Sequence, residues 1–172
     1  MRSGEARGLK FSDIDSKNNV IHVRRTLKYE AGRGFFEDTP KTSSSMRDIP
    51  VTTEIISIIE AQRKINREYS NVVSIDEYVF HLPEGTPISR ERVQSEIDRV
   101  LKKINETGGH IERFTSHCFR HTFATRAIEA GMQPQTLKTI LGHSSLSMTM
   151  DLYSHVLPNT KAEEMQKVAS IF

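Results

Sequence analysis

His117, Arg120 and His121 stand at i, i+3 and i+4 in a stretch that reads as helix, so one face carries two imidazoles and a guanidinium. Imidazole titrates nearest neutral pH of the common side chains, which suits it to moving protons. His117 and His121 also have the spacing of a zinc-binding helix. Position 118 is Cys118, however, where a metalloprotease needs Glu, and there is no second cysteine to complete a metal site. Leu141-Gly142-His143-Ser144-Ser145 puts another imidazole in a tight corner, with Gly142 stopping one helix and Ser144 or Ser145 capping the next. Ten residues on, Tyr153 shares a stripe with Leu146 and Met150, a pattern that core packing normally explains. Lys41 lies in the polar stretch 39–50, between two extended runs, where it would occupy an exposed tip. Taken singly, each of these residues has an ordinary structural explanation.

Three regions must position them. Residues 1–50 are strand-rich: runs at 11–15, 20–29 and 34–50 are separated by turn residues at 15–19 and 31–34. Residues 51–110 read as two helices. The first follows Thr52 and Thr53, with Ile55, Ile58, Ile59 and Ile65 on one stripe. The second is capped by Ser89, carries Val93, Ile97, Val100, Leu101 and Ile104, and ends at Gly108-Gly109. A short extended piece is expected at 77–81. Beyond residue 111 a helix runs from Thr115 or Ser116 to Gly131, with Phe119, Phe123 and Ala127 turned to the core. A second runs from Pro134 to Gly142, and a third from Ser144 or Ser145 to about Leu157. A last one after Pro158 has Ala162, Met165, Val168, Ala169 and Phe172 on one stripe. The expected fold class is α+β: a mostly helical domain with a small three-stranded antiparallel sheet near the N-terminus.

Composition narrows the function less than the motifs do. The 172 residues suffice for one domain with a proper core. No apolar run approaches the roughly 20 residues of a membrane span, and no signal peptide opens the chain. One cysteine excludes an internal disulfide and fits a reducing, cytoplasmic compartment. The net charge of +2 leaves nucleic-acid partners open, and the charge is unevenly spread. Ten basic face seven acidic side chains over residues 1–50, against eight and ten over 51–110.

The combination is more specific than its parts. Arg2-x-x-Glu5, Lys41, His117-Cys118-Phe119-Arg120-His121-Thr122-Phe123-Ala124-Thr125, Leu141-Gly142-His143-Ser144 and Tyr153 occur in this order over nearly the whole chain. This resembles the tyrosine recombinase (phage integrase) family, and most of all the integrases of phages and of integrative or conjugative elements. The resemblance implies a metal-independent DNA strand transferase that needs no cofactor and breaks and rejoins DNA through a 3′-phosphotyrosyl link. Tyr153 would be the nucleophile. Arg2 and Arg120 would bind the non-bridging phosphate oxygens, for which the planar, always-charged guanidinium fork is suited. Lys41 would protonate the leaving 5′-oxygen, and His117 would act as general acid or base. His143 would bond a phosphate oxygen or support Tyr153. Glu5 would orient Arg2 or another buried basic group, with His121 in a supporting place.

Candidate phosphate-backbone contacts are Arg24, Arg25, Lys28 and Arg33 on the sheet and Arg90 and Arg92 at a helix start. The resemblance further implies double-stranded DNA attachment sites as partners and a homo-tetramer on DNA, with exchange of the C-terminal helix. Accessory DNA-bending proteins, a bacterial, nucleoid-associated location and integration or excision of a mobile element belong to the same expectation. Residues 1–172 would form the catalytic domain, truncated at its N-terminus just before Arg2, with core-binding and arm-binding domains absent. Two other readings are a DNA-binding module without catalysis and a type IB topoisomerase. A pure binder has no need to keep Lys41, His117, Arg120, His143 and Tyr153 together. The short loops and the Leu-Gly-His-Ser corner argue against the topoisomerase.

Overall fold

The structure is a computed structural model that describes residues 1–38, 46–69, 77–157, 165–166 and 169. Lys41 lies outside the described residues, as does most of the expected last helix, including Ala162, Val168 and Phe172.

A short helix α1 (Ser3–Arg7) leads through a 3-10 turn (Phe11–Asp13) into the strands β1 (Ile14–Asp15) and β2 (Val20–Val23). A hairpin of β3 (Thr26–Glu30) and β4 (Gly34–Asp38) follows, and β5 (Arg47–Pro50) returns to the first sheet. The three-stranded antiparallel sheet is present, in the order β1-β2-β5, with Ile21 opposite Ile49 and Val23 opposite Arg47.

The strand boundaries differ from the expectation. The runs 20–29 and 34–50 are each divided between the sheet and the separate β3–β4 ribbon. The break falls at Arg24-Arg25, where the Arg25 guanidinium turns inward to the Asp13 carboxylate and to Glu37 Oε2, 3.3 Å away. A buried ion pair redirects the backbone where a continuous alternation would have kept it straight.

Helix α2 (Thr53–Tyr69) covers the sheet through Ile59, which packs with Leu9, Phe11, Ile21 and Val79 in one apolar cluster. Helix α3 (Arg90–Glu106) starts as expected at Ser89, whose Oγ accepts from the Arg92 amide at 3.1 Å. Its stripe is only partly covered: Leu101 is buried, while Val100 and Ile104 stay exposed. The extended piece near residue 78 bridges to Lys10.

The second cluster joins α4 (Ser116–Glu129), α5 (Pro134–Leu141) and α6 (Ser147–Val156) through Ala124, Ala127, Ile128, Leu137 and Leu141. Two expectations are corrected here. Phe119 and Phe123 are exposed, at 59% and 46%, because the small Ala124 and Ala127 with Ile128 form the face that lets α4 approach its neighbours. Neither Ser144 nor Ser145 caps α6; Leu146 holds the cap position, and the two serine hydroxyls bond Met148 Sδ and Ser147 Oγ instead.

Candidate active site

The site is built on the C-terminus of α5. The last carbonyls of a helix lack partners within it and carry the negative end of its dipole. Gly142 ends α5 in the left-handed conformation, φ +66, which glycine adopts without steric cost. The three carbonyls at this end each accept from a different arginine. Arg47 Nε donates to Ile140 at 2.8 Å, Arg120 Nη2 to Leu141 at 2.6 Å and Arg2 Nη2 to Gly142 at 2.9 Å.

Three like charges need a counterion, and Glu5 supplies it. Its side chain is 4% exposed. Oε1 accepts from Arg2 Nη1 at 3.0 Å and from Arg47 Nη1 at 3.1 Å, while Oε2 accepts from Arg47 Nη2 at 2.9 Å and from the Arg2 amide at 2.7 Å. Burial alone would raise the Glu5 pKa, but the hydrogen bonds from Arg47 and Arg2 outweigh it and hold the carboxyl below its usual range. Glu5 is therefore an anion shared by two arginines.

A cavity of about 230 Å³ opens over this cluster, lined by Arg2, His117, Arg120, His121 and His143 among others. Arg120 enters it from α4, one turn after His117. Burial, reinforced by Arg2, lowers its pKa to about 10, and its buried Nη1 has no hydrogen-bond partner among the described residues. His143 is buried, and its Nδ1 lies 2.9 Å from the hydroxyl of the fully buried Thr149 in the first turn of α6. That bond fixes the ring and leaves Nε2 as the nitrogen that can meet a ligand. His117 sits edge-on to His121, with ring centroids 4.5 Å apart. Burial first, then the neighbouring cations, depress the pKa of His143; His117 is exposed, and partial desolvation, then His121 and the arginines Arg120 and Arg2, depress its pKa. Both rings are thus held toward the neutral form. Among the described residues no cluster of three His, Cys, Asp or Glu side chains is arranged to hold a metal ion.

Arg2, His117, Arg120, His121 and His143 are brought together, with Glu5 beneath them. Tyr153 is not among the cavity-lining residues. Its ring packs against the α4–α5 cluster and its hydroxyl donates to the Met132 carbonyl oxygen, in the turn before α5. Burial raises its pKa. Of the candidate DNA contacts, Arg25 is the most enclosed: its side chain is 19% exposed and pairs with Asp13 and Glu37. Arg24 pairs with Asp48 at 3.1 Å and Lys28 with Asp38 at 2.5 Å, while Arg33 stacks on Phe36 and lies 3.8 Å from Glu30. Arg90 and Arg92 are exposed at the start of α3.

Arg47 had no place among the expected site residues, because residues 39–50 read as a polar turn. The signal was its register. In β5 the buried residues are Arg47 and Ile49 and the exposed ones Asp48 and Pro50, so the period of two that turns Ile49 inward turns Arg47 inward as well.

The chain is 31% identical over its whole length to a XerC-like tyrosine recombinase of Caldanaerobacter subterraneus subsp. tengcongensis, of which it covers 46%. It is 29% identical, over 98% of its length, to the transposase of transposon Tn916 from Enterococcus faecalis, of which it covers 42%. The chain thus spans under half the length of these curated relatives. Its fold superposes on the Tn1549 transposon integrase, solved in complex with transposon right-end DNA, with a TM-score of 0.85 and 34% identity, over 98% of this chain and 55% of that one. With the family model for the phage integrase family matching residues 1–160, the chain belongs to the phage integrase family, that of the tyrosine recombinases.

Proposed function

We propose that this chain is the catalytic part of a site-specific DNA recombinase that cleaves and rejoins DNA through a 3′-phosphotyrosyl intermediate during integration or excision of a mobile element. The observation that carries the reading is the buried Nη1 of Arg120, which has no hydrogen-bond partner among the described residues, beside a cavity shared with Arg2, His117 and His143. A buried donor without an acceptor is costly, and a phosphodiester oxygen is the acceptor that this cationic, histidine-flanked space suits.

In the reaction, Arg2 and Arg120 hold the non-bridging oxygens and offset the charge that grows on them in the transition state. Tyr153 attacks phosphorus through its phenolic oxygen as the 5′-oxygen leaves. His117 moves a proton at this centre, His143 supports a phosphate oxygen through Nε2, and Lys41 protonates the leaving oxygen. The link conserves the bond energy, so the reverse attack by a 5′-hydroxyl rejoins a strand without ATP. Tyr153 first has to exchange the Met132 carbonyl for the scissile phosphate, which requires α6 to move relative to the α4–α5 turn. Binding of DNA attachment sites, assembly of a tetramer with exchange of the C-terminal helix, accessory DNA-bending proteins and residence at the bacterial nucleoid complete this reading.

The test is covalent capture. Incubated with nicked duplexes from the ends of its mobile element, the intact protein gives an SDS-stable protein–DNA adduct, and Tyr153→Phe binds the same duplexes without forming one. Equal adduct from the variant would end the proposal.

A further inference from the structure

Arg47 has no part in the reaction as drawn above, yet its guanidinium is the most enclosed charge near the cavity, with its side chain 3% exposed. It reaches both halves of the site. Through the fork on Glu5, with contacts of 3.1 and 2.9 Å, it fixes the carboxylate that orients Arg2. Through Nε it holds the Ile140 carbonyl at 2.8 Å, next to the Leu141 carbonyl that anchors Arg120. Gly142 lies directly on it: a Cβ there would fall 2.8 Å from Nη1 and 2.9 Å from Cζ. The corner that presents His143 is thus seated on the Arg47 guanidinium.

We infer that Arg47 is a positioning residue for strand cleavage, an inward guanidinium that aims Arg2 and the α5 corner at the phosphate. The inference rests on the phosphodiester reading above. Its physical basis is a competition for Arg2. Glu5 is buried and must be neutralised. With Arg47 in place the carboxylate is already satisfied on both oxygens, so Arg2 can turn its charge to a substrate. Without Arg47 the carboxylate has Arg2 as its remaining fork among the described residues, and the cluster beneath the cavity loses one of the three guanidinium charges that surround Glu5 and the end of α5. A lysine keeps the charge but cannot bridge Oε1, Oε2 and the Ile140 carbonyl at once. DNA affinity, spread over many backbone contacts, depends little on this cluster.

The experiment measures single-turnover adduct formation at saturating nicked DNA by the intact protein, with DNA affinity and thermal stability recorded in parallel. Arg47→Lys and Arg47→Met are each made alone and on an Arg2→Ala background. The expected result is a fall in cleavage rate of about 10- to 100-fold for either variant, as for small misplacements of a catalytic group. DNA affinity should stay within about 3-fold, the scale of one lost contact among many. On the Arg2→Ala background the Arg47 effect shrinks several-fold, because the group it aims is gone. A purely structural role moves stability but multiplies with Arg2→Ala undiminished, and that result overturns the inference. So does a wild-type rate in Arg47→Lys, which decides the matter if Arg47→Met does not fold. Wild-type protein that yields no Tyr153-dependent adduct defeats the phosphodiester reading itself, a different outcome from normal adducts that ignore Arg47.

Discussion

Arg120 is tethered at one end by Leu141 and left open at the other. Nη2 donates to the Leu141 carbonyl oxygen at 2.6 Å, whereas Nη1 is buried without a partner among the described residues. A guanidinium held this way does not have to reorganise when an anion arrives, and preorganised donors of this kind supply much of the stabilisation of a developing charge. Its lowered pKa, about 10, has burial and then the Arg2 charge as its causes, and an anion bound at Nη1 would offset both.

Arg120→Ala therefore removes a charge and a fixed donor together. Single-turnover cleavage should fall about 100- to 1,000-fold, while the DNA-binding midpoint moves little. Arg120→Lys should recover only part of the rate, since lysine cannot hold Leu141 and a phosphate oxygen with one rigid fork. A variant within about 3-fold of wild type, far below the effect of losing such a donor, contradicts the role given to Arg120.

The histidines predict a pH profile. Their pKa values lie below the ordinary 6.5, through burial at His143 and through partial desolvation and neighbouring charges at the exposed His117. In the free protein both rings are neutral above that value and gain a proton only as pH falls through the lowered ones. The acid limb of kcat/KM for adduct formation should thus be centred below 6.5, and His117→Gln should flatten it. Stability follows the same sign: the unfolded chain binds these protons first, so stability is full above the unfolded value and declines as pH falls toward the depressed ones. A limb centred above pH 7, the neutral side of the imidazole range, speaks against this assignment.

Gly142 has two reasons to be glycine. Its φ of +66 strains any other residue, and a Cβ would meet the Arg47 guanidinium at 2.8 to 3.1 Å. Gly142→Ala should cost about 1–3 kcal/mol in urea unfolding and slow cleavage as well, because the His143 corner shifts with it. Unchanged stability would mean that the corner is not seated on Arg47.

The parts of the site that were legible in the sequence are those fixed by local geometry. His117 and Arg120 share a face because three residues make nearly one helical turn, and Gly142 marks a helix end because few residues accept its backbone angles. The strand break at Arg24-Arg25 was not legible, since it depends on Asp13 and Glu37, which are 12 residues away from Arg25 on either side. The exposure of Phe119 and Phe123 was also hidden: apolar periodicity cannot tell which face of α4 meets α5 and α6, and the small Ala124 and Ala127 decided it. Tyr153 does pack on the α4–α5 cluster, but its expected stripe partners Leu146 and Met150 are exposed, at 41% and 43%; Leu152 and Val156 pack there with it, and its bond to Met132 joins two turns of chain that no spacing rule connects.

The positive charge at the cavity belongs to side chains, so EDTA should leave adduct formation unchanged. Added salt should weaken DNA binding steeply, as counterion release requires. A loss of cleavage on chelation that magnesium restores would assign part of the phosphate's neutralisation to a metal and reduce the share given to Arg2 and Arg120.

The central claim is that Tyr153 becomes covalently joined to DNA. Digestion of the SDS-stable adduct followed by mass spectrometry tests it directly. The expected result is a nucleotide attached through a 3′-phosphate to the peptide carrying Tyr153, and none from the Tyr153→Phe protein. A nucleotide on any other residue, or an adduct that persists in that variant, would contradict the account.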